Sequence, residues 1–264
     1  MATADVLVRQ PRWKWHVRGT WSAREDRVPS TVWLGILWVG MIGGFGTDIP
    51  HFVHLNPPAS IWVHVHAAVF TGWMLLLTAQ VLLVVKDRVA LHRKMGWFLA
   101  GWACLMAVMG PVGVVAAVLR AVRLHGPFPY PFIATHAADL GGFLVLLAVG
   151  IALRKNAAAH KRLMILSTVC LADPGFNRLI GAFEKWLPEP QSALPWFFSV
   201  FYGNLLIIGL MLGWDWWKGR LVRAHVLASA GAAAVFYVAA VMEFWEPWKA
   251  LTLEWVKGWM RIWG

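Results

Sequence analysis

The chain has 264 residues, of which 59% are hydrophobic and only 14% are charged. Soluble domains carry about 25% charged residues, so this composition excludes an ordinary soluble domain and indicates a polytopic membrane protein. The formal net charge of +11 comes largely from basic residues in short segments between apolar runs. That pattern is typical of membrane orientation signals, so we expect the lipid bilayer as a partner and no nucleic acid.

The apolar runs set the predicted organisation of the chain. Residues 1–30 are polar and basic and predict a cytoplasmic arm, whereas residues 243–264 alternate aromatic and charged residues and predict an amphipathic, Trp-rich tail. Between them, residues 31–242 form a transmembrane domain with spans predicted at about 31–45, 61–85, 95–119, 132–153, 163–182, 196–213 and 224–242. The predicted fold is all-α, a polytopic membrane helical bundle with about seven transmembrane helices around a four-helix core.

The loops predict how the bundle is oriented. Lys and Arg are frequent in the N-terminal arm and in the segments at 86–94, 154–162 and 218–223, and rarer in those at 47–60, 120–131 and 183–195. With seven spans, the basic segments all lie on one side of the membrane. The positive-inside rule therefore predicts a bacterial inner-membrane protein with its N-terminus in the cytoplasm and its C-terminus outside.

Four histidines repeat in two consecutive helical hairpins. His66 lies in the second span, and His92, 26 positions later, lies just before the third. His136 lies in the fourth span, and His160, 24 positions later, lies just before the fifth. One histidine of each hairpin lies near each membrane face. Two neutral imidazoles on facing helices at one depth are the axial ligand set of a low-spin haem b, so His66/His136 and His92/His160 are predicted as two haem iron sites.

The alternative for these histidines is an interfacial role without a ligand. His92 and His160 each precede two basic residues that could anchor the helix ends at the headgroups. His66 is preferred over His64 because His66, Trp73 and Gln80 recur every seven positions and therefore share one helix face.

Further polar residues lie inside the apolar runs, where they are costly and are by default hypotheses of function. Asp139 follows His136 by three positions, and Asp173 falls near the predicted midplane beside a proline. A second shell or polar cluster is therefore predicted from Gln80, Asp139, Asp173, Asn177 and Arg178. The structural alternative is an Asp173–Arg178 or Asp139–Arg178 ion pair that joins helices.

A mixed nitrogen and oxygen metal site competes with haem at the outer level, which is the membrane face near which His66 and His136 lie. It would combine His66, His136, Asp139 and Asp173 around iron, zinc or copper, and His51 and His54 could join from the neighbouring segment. The sequence leaves the two ligand sets open.

Three segments resemble the signature of a family of predicted bacterial multi-pass membrane proteins that has no assigned activity. They are His66 fourteen positions before Gln80, the stretch LHRKMG at 91–96, and the HKRLM stretch at 160–164. The resemblance covers roughly residues 60–180. It departs at Thr78-Ala79, where the family often has Gly-Pro.

The four-histidine layout also resembles the ascorbate-reducible transmembrane di-haem cytochromes b, although the spacings differ and no substrate motif is matched. This second resemblance implies electron transfer across the membrane through two haem b groups, with a quinone or a redox protein as electron donor or acceptor. The competing expectation is a non-redox transporter, or a structural or assembly subunit of a membrane complex, with a polar or metal site between its helices.

Overall fold

The computed structural model describes residues 14–17, 26–130, 132–184 and 190–263. It confirms the predicted fold class, because the chain is an all-α helical bundle of membrane-spanning type. The elements in chain order are β1 (Lys14–Val17), α1 (Arg27–Val53), α2 (Ile61–Val85), α3 (Val89–His125), α4 (Ile133–Ala152), α5 (Ala157–Val169), α6 (Asp173–Glu184), α7 (Ala193–Trp217), β2 (Arg220–Val222), α8 (Arg223–Glu243) and α9 (Glu246–Trp263). Most of the N-terminal arm lies outside the described residues.

Six of these helices are individually long and apolar enough to cross a bilayer, namely α1, α2, α3, α4, α7 and α8. Helices α5 and α6 satisfy the same criterion only together, with a bend of 49° between them. The break follows from the sequence, because Pro174 has no N–H and occupies the first turn of α6, where that N–H would be unpaired in any case.

Contacts at the two ends of the bundle show that the α5–α6 pair crosses from one side to the other. Strand β1 pairs with β2 in antiparallel fashion, so the N-terminal arm and the segment before α8 lie at the same end. At that end Lys161 of α5 pairs with Asp26. At the opposite end, Arg178 of α6 pairs with Asp48 of α1 at 3.0 Å. With α5 and α6 taken as one broken span, the described part of the chain has seven candidate membrane spans.

Helix α1 is longer than the sequence predicts. It runs through Gly40 and Gly44 to Val53, so Asp48 and His51 lie on the helix and not in the loop expected at 47–60. The turn-rich stretch at 47–60, which contains Pro50, suggested a loop. In the structure the glycines of α1 permit close packing, and the backbones of Gly44 and Gly175 are in direct contact between α1 and α6. Tertiary packing thus overrides the local signal.

The core lies between the two hairpins α2–α3 and α4–α5. Trp73 of α2 is 1% exposed, its ring meets Phe143 of α4 edge-on with centroids 4.8 Å apart, and its indole N–H donates to Thr168 Oγ1 of α5 at 3.1 Å. The C-terminal helix α9 packs through Val256 against Val118 of α3. The histidines lie above and below this aromatic centre.

Candidate functional site

The α2 stripe that carries His66, Trp73 and Gln80 faces the interior of the bundle. Trp73 and Gln80 are buried and His66 is half-buried, whereas His64 is exposed. Since the stripe has a period of seven residues, His66 and Gln80 lie about two turns to either side of Trp73. The stripe therefore presents one polar side chain at each histidine level.

At the outer level, His66 is fixed by the backbone of α3. Its Nδ1–H donates to the carbonyl oxygen of Met109 at 2.9 Å. Because a carbonyl can only accept, this bond assigns the proton to Nδ1 and leaves a lone pair on Nε2. Gly113 makes the contact possible, since a Cβ at that position would overlap the imidazole ring.

His136 lies at the same level in an aromatic setting. Its ring lies 6.1 Å from the Phe132 ring and 6.2 Å from the Tyr130 ring, centroid to centroid. Its Nδ1 is 4.0 Å from Asp139 Oδ2, which is too long for a hydrogen bond, and it lies in electrostatic range of His66. Burial raises the pKa of the Tyr130 phenol above its ordinary value, so Tyr130 remains a neutral O–H donor beside this site.

At the inner level, His92 of α3 and His160 of α5 lie side by side. Their ring centroids are 6.3 Å apart and their planes are inclined by 79°. The Nδ1–H of His160 donates to the Gly150 carbonyl oxygen at 2.8 Å, which again leaves the Nε2 lone pair free for a ligand role. These two residues, predicted as one ligand pair, come from different hairpins and lie next to each other in the fold.

Gln80 reaches this inner level from α2. The neighbouring donors and acceptors assign its amide nitrogen to the side that faces α3. In this orientation the nitrogen donates to the His92 carbonyl oxygen at 3.1 Å and to His92 Nδ1 at 2.5 Å, while the amide oxygen accepts from Gly96 N–H at 3.2 Å. Gln80 therefore belongs with His92 and His160, and not with His66.

Asp139 and Asp173 form a second polar feature between α4 and α6. Both are buried, at 4% and 3% exposed, and their carboxyl groups lie close enough to interact electrostatically. The Oδ1 atom of each carboxyl group has no hydrogen-bond partner in the described structure. Asn204 of α7 contacts Asp173, and its amide nitrogen donates to the Val169 carbonyl oxygen at 2.9 Å.

Arg178 does not join that pair. Its Nε donates to Asp48 Oδ2 at 3.0 Å and its Nη1 to the Pro174 carbonyl oxygen at 2.9 Å. Within the described residues, neither ion pair considered from the sequence, to Asp173 or to Asp139, forms. Asp48 was missed because it was assigned to a loop. Asn177, on the same turn, has no hydrogen bond at its buried Oδ1 in the described structure.

A second charged cluster was not anticipated as a site. Arg162 of α5 is 6% exposed and bonds both Asp215 of α7 and Asp26, while His225 of α8 donates from Nδ1 to Asp215 at 2.9 Å. Lys161 also pairs with Asp26. These residues line a small pocket at the N-terminal end of the bundle. Each lies near the end of a helix, where a charged residue is usually interpreted as an interfacial anchor, so the sequence carries no distinct signal for this cluster.

The mixed-ligand metal site is not assembled. Nowhere in the described ranges do three or more His, Cys, Asp or Glu side chains gather closely enough to hold a metal ion. His51 and His54 do not complete such a group with His66, His136, Asp139 and Asp173 in this structure.

No family model, curated protein or solved structure matches the chain.

Proposed function

We propose that this integral membrane protein transfers electrons across a bacterial inner membrane through two haem b groups, each held by two histidines. The observation that carries the proposal is the juxtaposition of His92 and His160, at 6.3 Å between ring centroids, from two different hairpins. Two imidazoles that share one metal ion have ring centroids about 6 Å apart, because each metal–nitrogen bond is about 2 Å long. The spacing therefore fits axial ligands of one iron.

The hydrogen bonds of the histidines support the same function. An axial histidine needs its second nitrogen fixed, commonly by donating to a backbone carbonyl, so that Nε2 points its lone pair at the metal. His160 and His66 already donate from Nδ1 to the carbonyls of Gly150 and Met109. Each proposed site therefore contains one histidine with this hydrogen bond. It is His160 in the His92/His160 pair at the inner level and His66 in the His66/His136 pair at the outer level.

When bound, haem b would supply reversible one-electron chemistry, and its potential would be set by these ligands and their burial. The chain would supply the two ligand pairs, the fixed tautomers of His66 and His160, and a buried aromatic centre around Trp73 between the two levels. A quinone in the bilayer or a redox protein at either face would deliver or accept the electrons. The resemblance to transmembrane di-haem cytochromes b supports this layout.

The orientation belongs to the same proposal. The end of the bundle that holds Asp26, Lys161 and Arg220 also carries the basic segments at 86–94, 154–162 and 218–223. By the positive-inside rule this end is cytoplasmic, which places His92 and His160 near the cytoplasm and the C-terminus outside.

The test is a dithionite-reduced minus oxidised absorbance spectrum of the full chain in detergent, expressed with added haem. We expect the sharp α-band of low-spin haem b. His92→Ala or His160→Ala should remove one part of the band, and His66→Ala or His136→Ala the other. The control is His64→Ala, since His64 is exposed on the same helix. A folded protein without the band, or with a band indifferent to all four substitutions, would refute the proposal.

The buried carboxyl pair of Asp139 and Asp173 favours a second candidate, a proton-linked transporter or a subunit that uses this polar site. Two buried carboxyl groups beside the break between α5 and α6 are a place where a proton can bind inside the membrane. Infrared difference spectra on a pH step would show the carbonyl stretch of a protonated carboxyl group. The band should disappear in Asp139→Asn and persist in Asp48→Asn. A spectrum without the band would exclude a proton bound by this pair.

A further inference from the structure

Gln80 inserts its side-chain amide into the first turns of α3. The two backbone groups that it contacts, the carbonyl of His92 and the N–H of Gly96, are four residues apart, which is the spacing of one helical hydrogen bond. Gln80 is 5% exposed, so its amide has little access to water. This arrangement fixes the position of the amide beside the His92 ring.

The same amide controls a proton on that ring. With its nitrogen toward α3, Gln80 donates to His92 Nδ1 at 2.5 Å, so Nδ1 must accept and the ring proton lies on Nε2. The main-chain carbonyl of Gln80 is a further acceptor within range of this imidazole. In this state His92 has no Nε2 lone pair, unlike His66 and His160, whose carbonyl partners require the proton on Nδ1.

A backbone carbonyl can only accept a hydrogen bond, whereas a side-chain amide can present either its donor nitrogen or its acceptor oxygen. Rotation of the Gln80 amide by half a turn places its oxygen against Nδ1, which must then carry the proton, and transfers the lone pair to Nε2. The first orientation satisfies all three neighbours of the amide, whereas the second gives up the bonds to the His92 carbonyl and to Gly96 N–H. A ligand bond at Nε2 would compensate for that loss.

We propose that Gln80 is the positioning residue that selects the tautomer of His92 and so decides whether the inner histidine pair can bind a metal. The role in haem binding rests on the proposed function, whereas the effect of Gln80 on the tautomer of His92 does not. In the haem-free chain Gln80 holds His92 with the proton on Nε2. If haem were bound, the amide would turn so that its oxygen accepts from Nδ1–H of His92 and holds His92 as a ligand.

The first test needs no haem. Nitrogen-15 NMR of the haem-free full chain with labelled histidine distinguishes the two neutral tautomers, and a His92→Gln sample assigns the His92 signals. We expect the Nε2–H form at His92 in the unmodified protein and the Nδ1–H form in Gln80→Glu, whose carboxylate accepts. Gln80→Met should give a mixture. His66 and His160 should stay in the Nδ1–H form throughout and serve as internal controls for folding.

One pattern overturns the inference: His92 keeps the same tautomer in the unmodified protein, in Gln80→Glu and in Gln80→Met. A matched control is Thr71→Val, an exposed position on the same helix, which should leave every histidine signal unchanged. A loss of the internal-control signals in Gln80→Glu would mark misfolding, and Gln80→Met alone would then decide.

The second test uses the haem-loaded protein. A carboxylate against Nδ1–H makes the ligand more basic and favours the oxidised iron, so Gln80→Glu should lower the reduction equilibrium constant of one haem about tenfold, or 59 mV for one electron. The other haem should be unaffected. If two haems are bound and neither potential changes in Gln80→Glu, the role of Gln80 is refuted but the proposed function is not. If the unmodified protein binds no haem, the proposed function is refuted and the tautomer result is unaffected.

Discussion

Arg162 of α5 clamps the carboxylate of Asp215 in α7 with two hydrogen bonds, from Nε at 2.6 Å and from Nη2 at 2.7 Å. This two-point geometry is the strongest form of an ion pair between side chains. Asp215 also accepts from His225, and Arg162 also reaches Asp26. One buried cluster thus joins α5, α7, α8 and the residue before α1 at the N-terminal end of the bundle.

Removing one member of this cluster should be strongly destabilising. Asp215→Ala leaves the buried Arg162 without its two-point partner and should lower the free energy of unfolding by about 3–5 kcal/mol. The exposed pair of Arg178 and Asp48 offers the control: Asp48→Ala should cost about 1 kcal/mol or less. Thermal or denaturant unfolding in a fixed detergent measures both. Equal losses in the two variants would show that burial of the Arg162 cluster does not matter.

The Arg162 cluster could not be predicted from the sequence, whereas the membrane spans could. The apolar runs predict the spans because lipid imposes a minimum length on any crossing helix, and the seven-residue recurrence of Trp73 and Gln80 identifies their buried face. Arg162, Asp215 and His225 each lie near a helix end, where a lipid anchor and a buried ion pair have the same local sequence. Only the packing of α5 against α7 and α8 distinguishes the two.

A glycine contact between α1 and α6 gives a second prediction. A Cβ at Gly44 would overlap the carbonyl oxygen of Gly175, and backbone cannot move aside as a flexible side chain can. Gly44→Ala should therefore separate α1 from α6 and lower the unfolding free energy by about 1–3 kcal/mol.

Gly35→Ala is the matched control on the same helix, because nothing lies within 4 Å of the Cβ position there. It should be neutral or stabilising by up to about 1 kcal/mol, since alanine is the better helix former. Thermal unfolding of both variants in one detergent makes the comparison. If Gly44→Ala is as stable as Gly35→Ala, the close α1–α6 contact does not contribute to stability.

Glu243 gives a third prediction, which concerns the outer histidine level. Its Oε1 accepts from the N–H of Thr135 at 3.1 Å and from the Thr135 hydroxyl at 3.2 Å, in the first turn of α4. Glu243→Ala leaves both buried donors unpaired beside His136 and should cost about 1–3 kcal/mol. Glu243→Gln keeps an acceptor and should recover most of that stability.

The control for this acidic residue is Glu246→Ala, because Glu246 is exposed and bonds only Lys249 among the described residues. It should change the unfolding temperature little. If Glu243→Ala proves as mild as this control, the carboxylate does not stabilise the start of α4. If haem is bound as proposed, a variant that unfolds at a lower temperature but keeps the full haem band would show that Glu243 affects stability and not ligand placement.

The broken span was only half predictable. The pair Asp173-Pro174 marks an interruption in the fifth run, because proline removes a backbone donor. The 49° bend, and the contact of Asp173 with Asp139, depend on how α6 packs against α1 and α4. The partner of Arg178 could not be predicted either, because Asp48 was assigned to the loop expected at 47–60 and not to the end of α1.

The crossing of the α5–α6 pair gives the last prediction. Single cysteines replace Lys155 before α5, Ser192 after α6 and Asn56 after α1, in a chain whose native Cys104 and Cys170 are changed to Ser and Ala. All three positions are exposed at helix ends.

If the broken helix spans the bilayer, a membrane-impermeant maleimide added to intact spheroplasts labels Asn56→Cys and Ser192→Cys but not Lys155→Cys. The ion pair of Arg178 with Asp48, which joins α6 to the far end of α1, requires this result. Protection of Ser192→Cys together with Lys155→Cys would mean that α5 and α6 enter and leave on the cytoplasmic side, and labelling of Lys155→Cys alone would reverse the orientation.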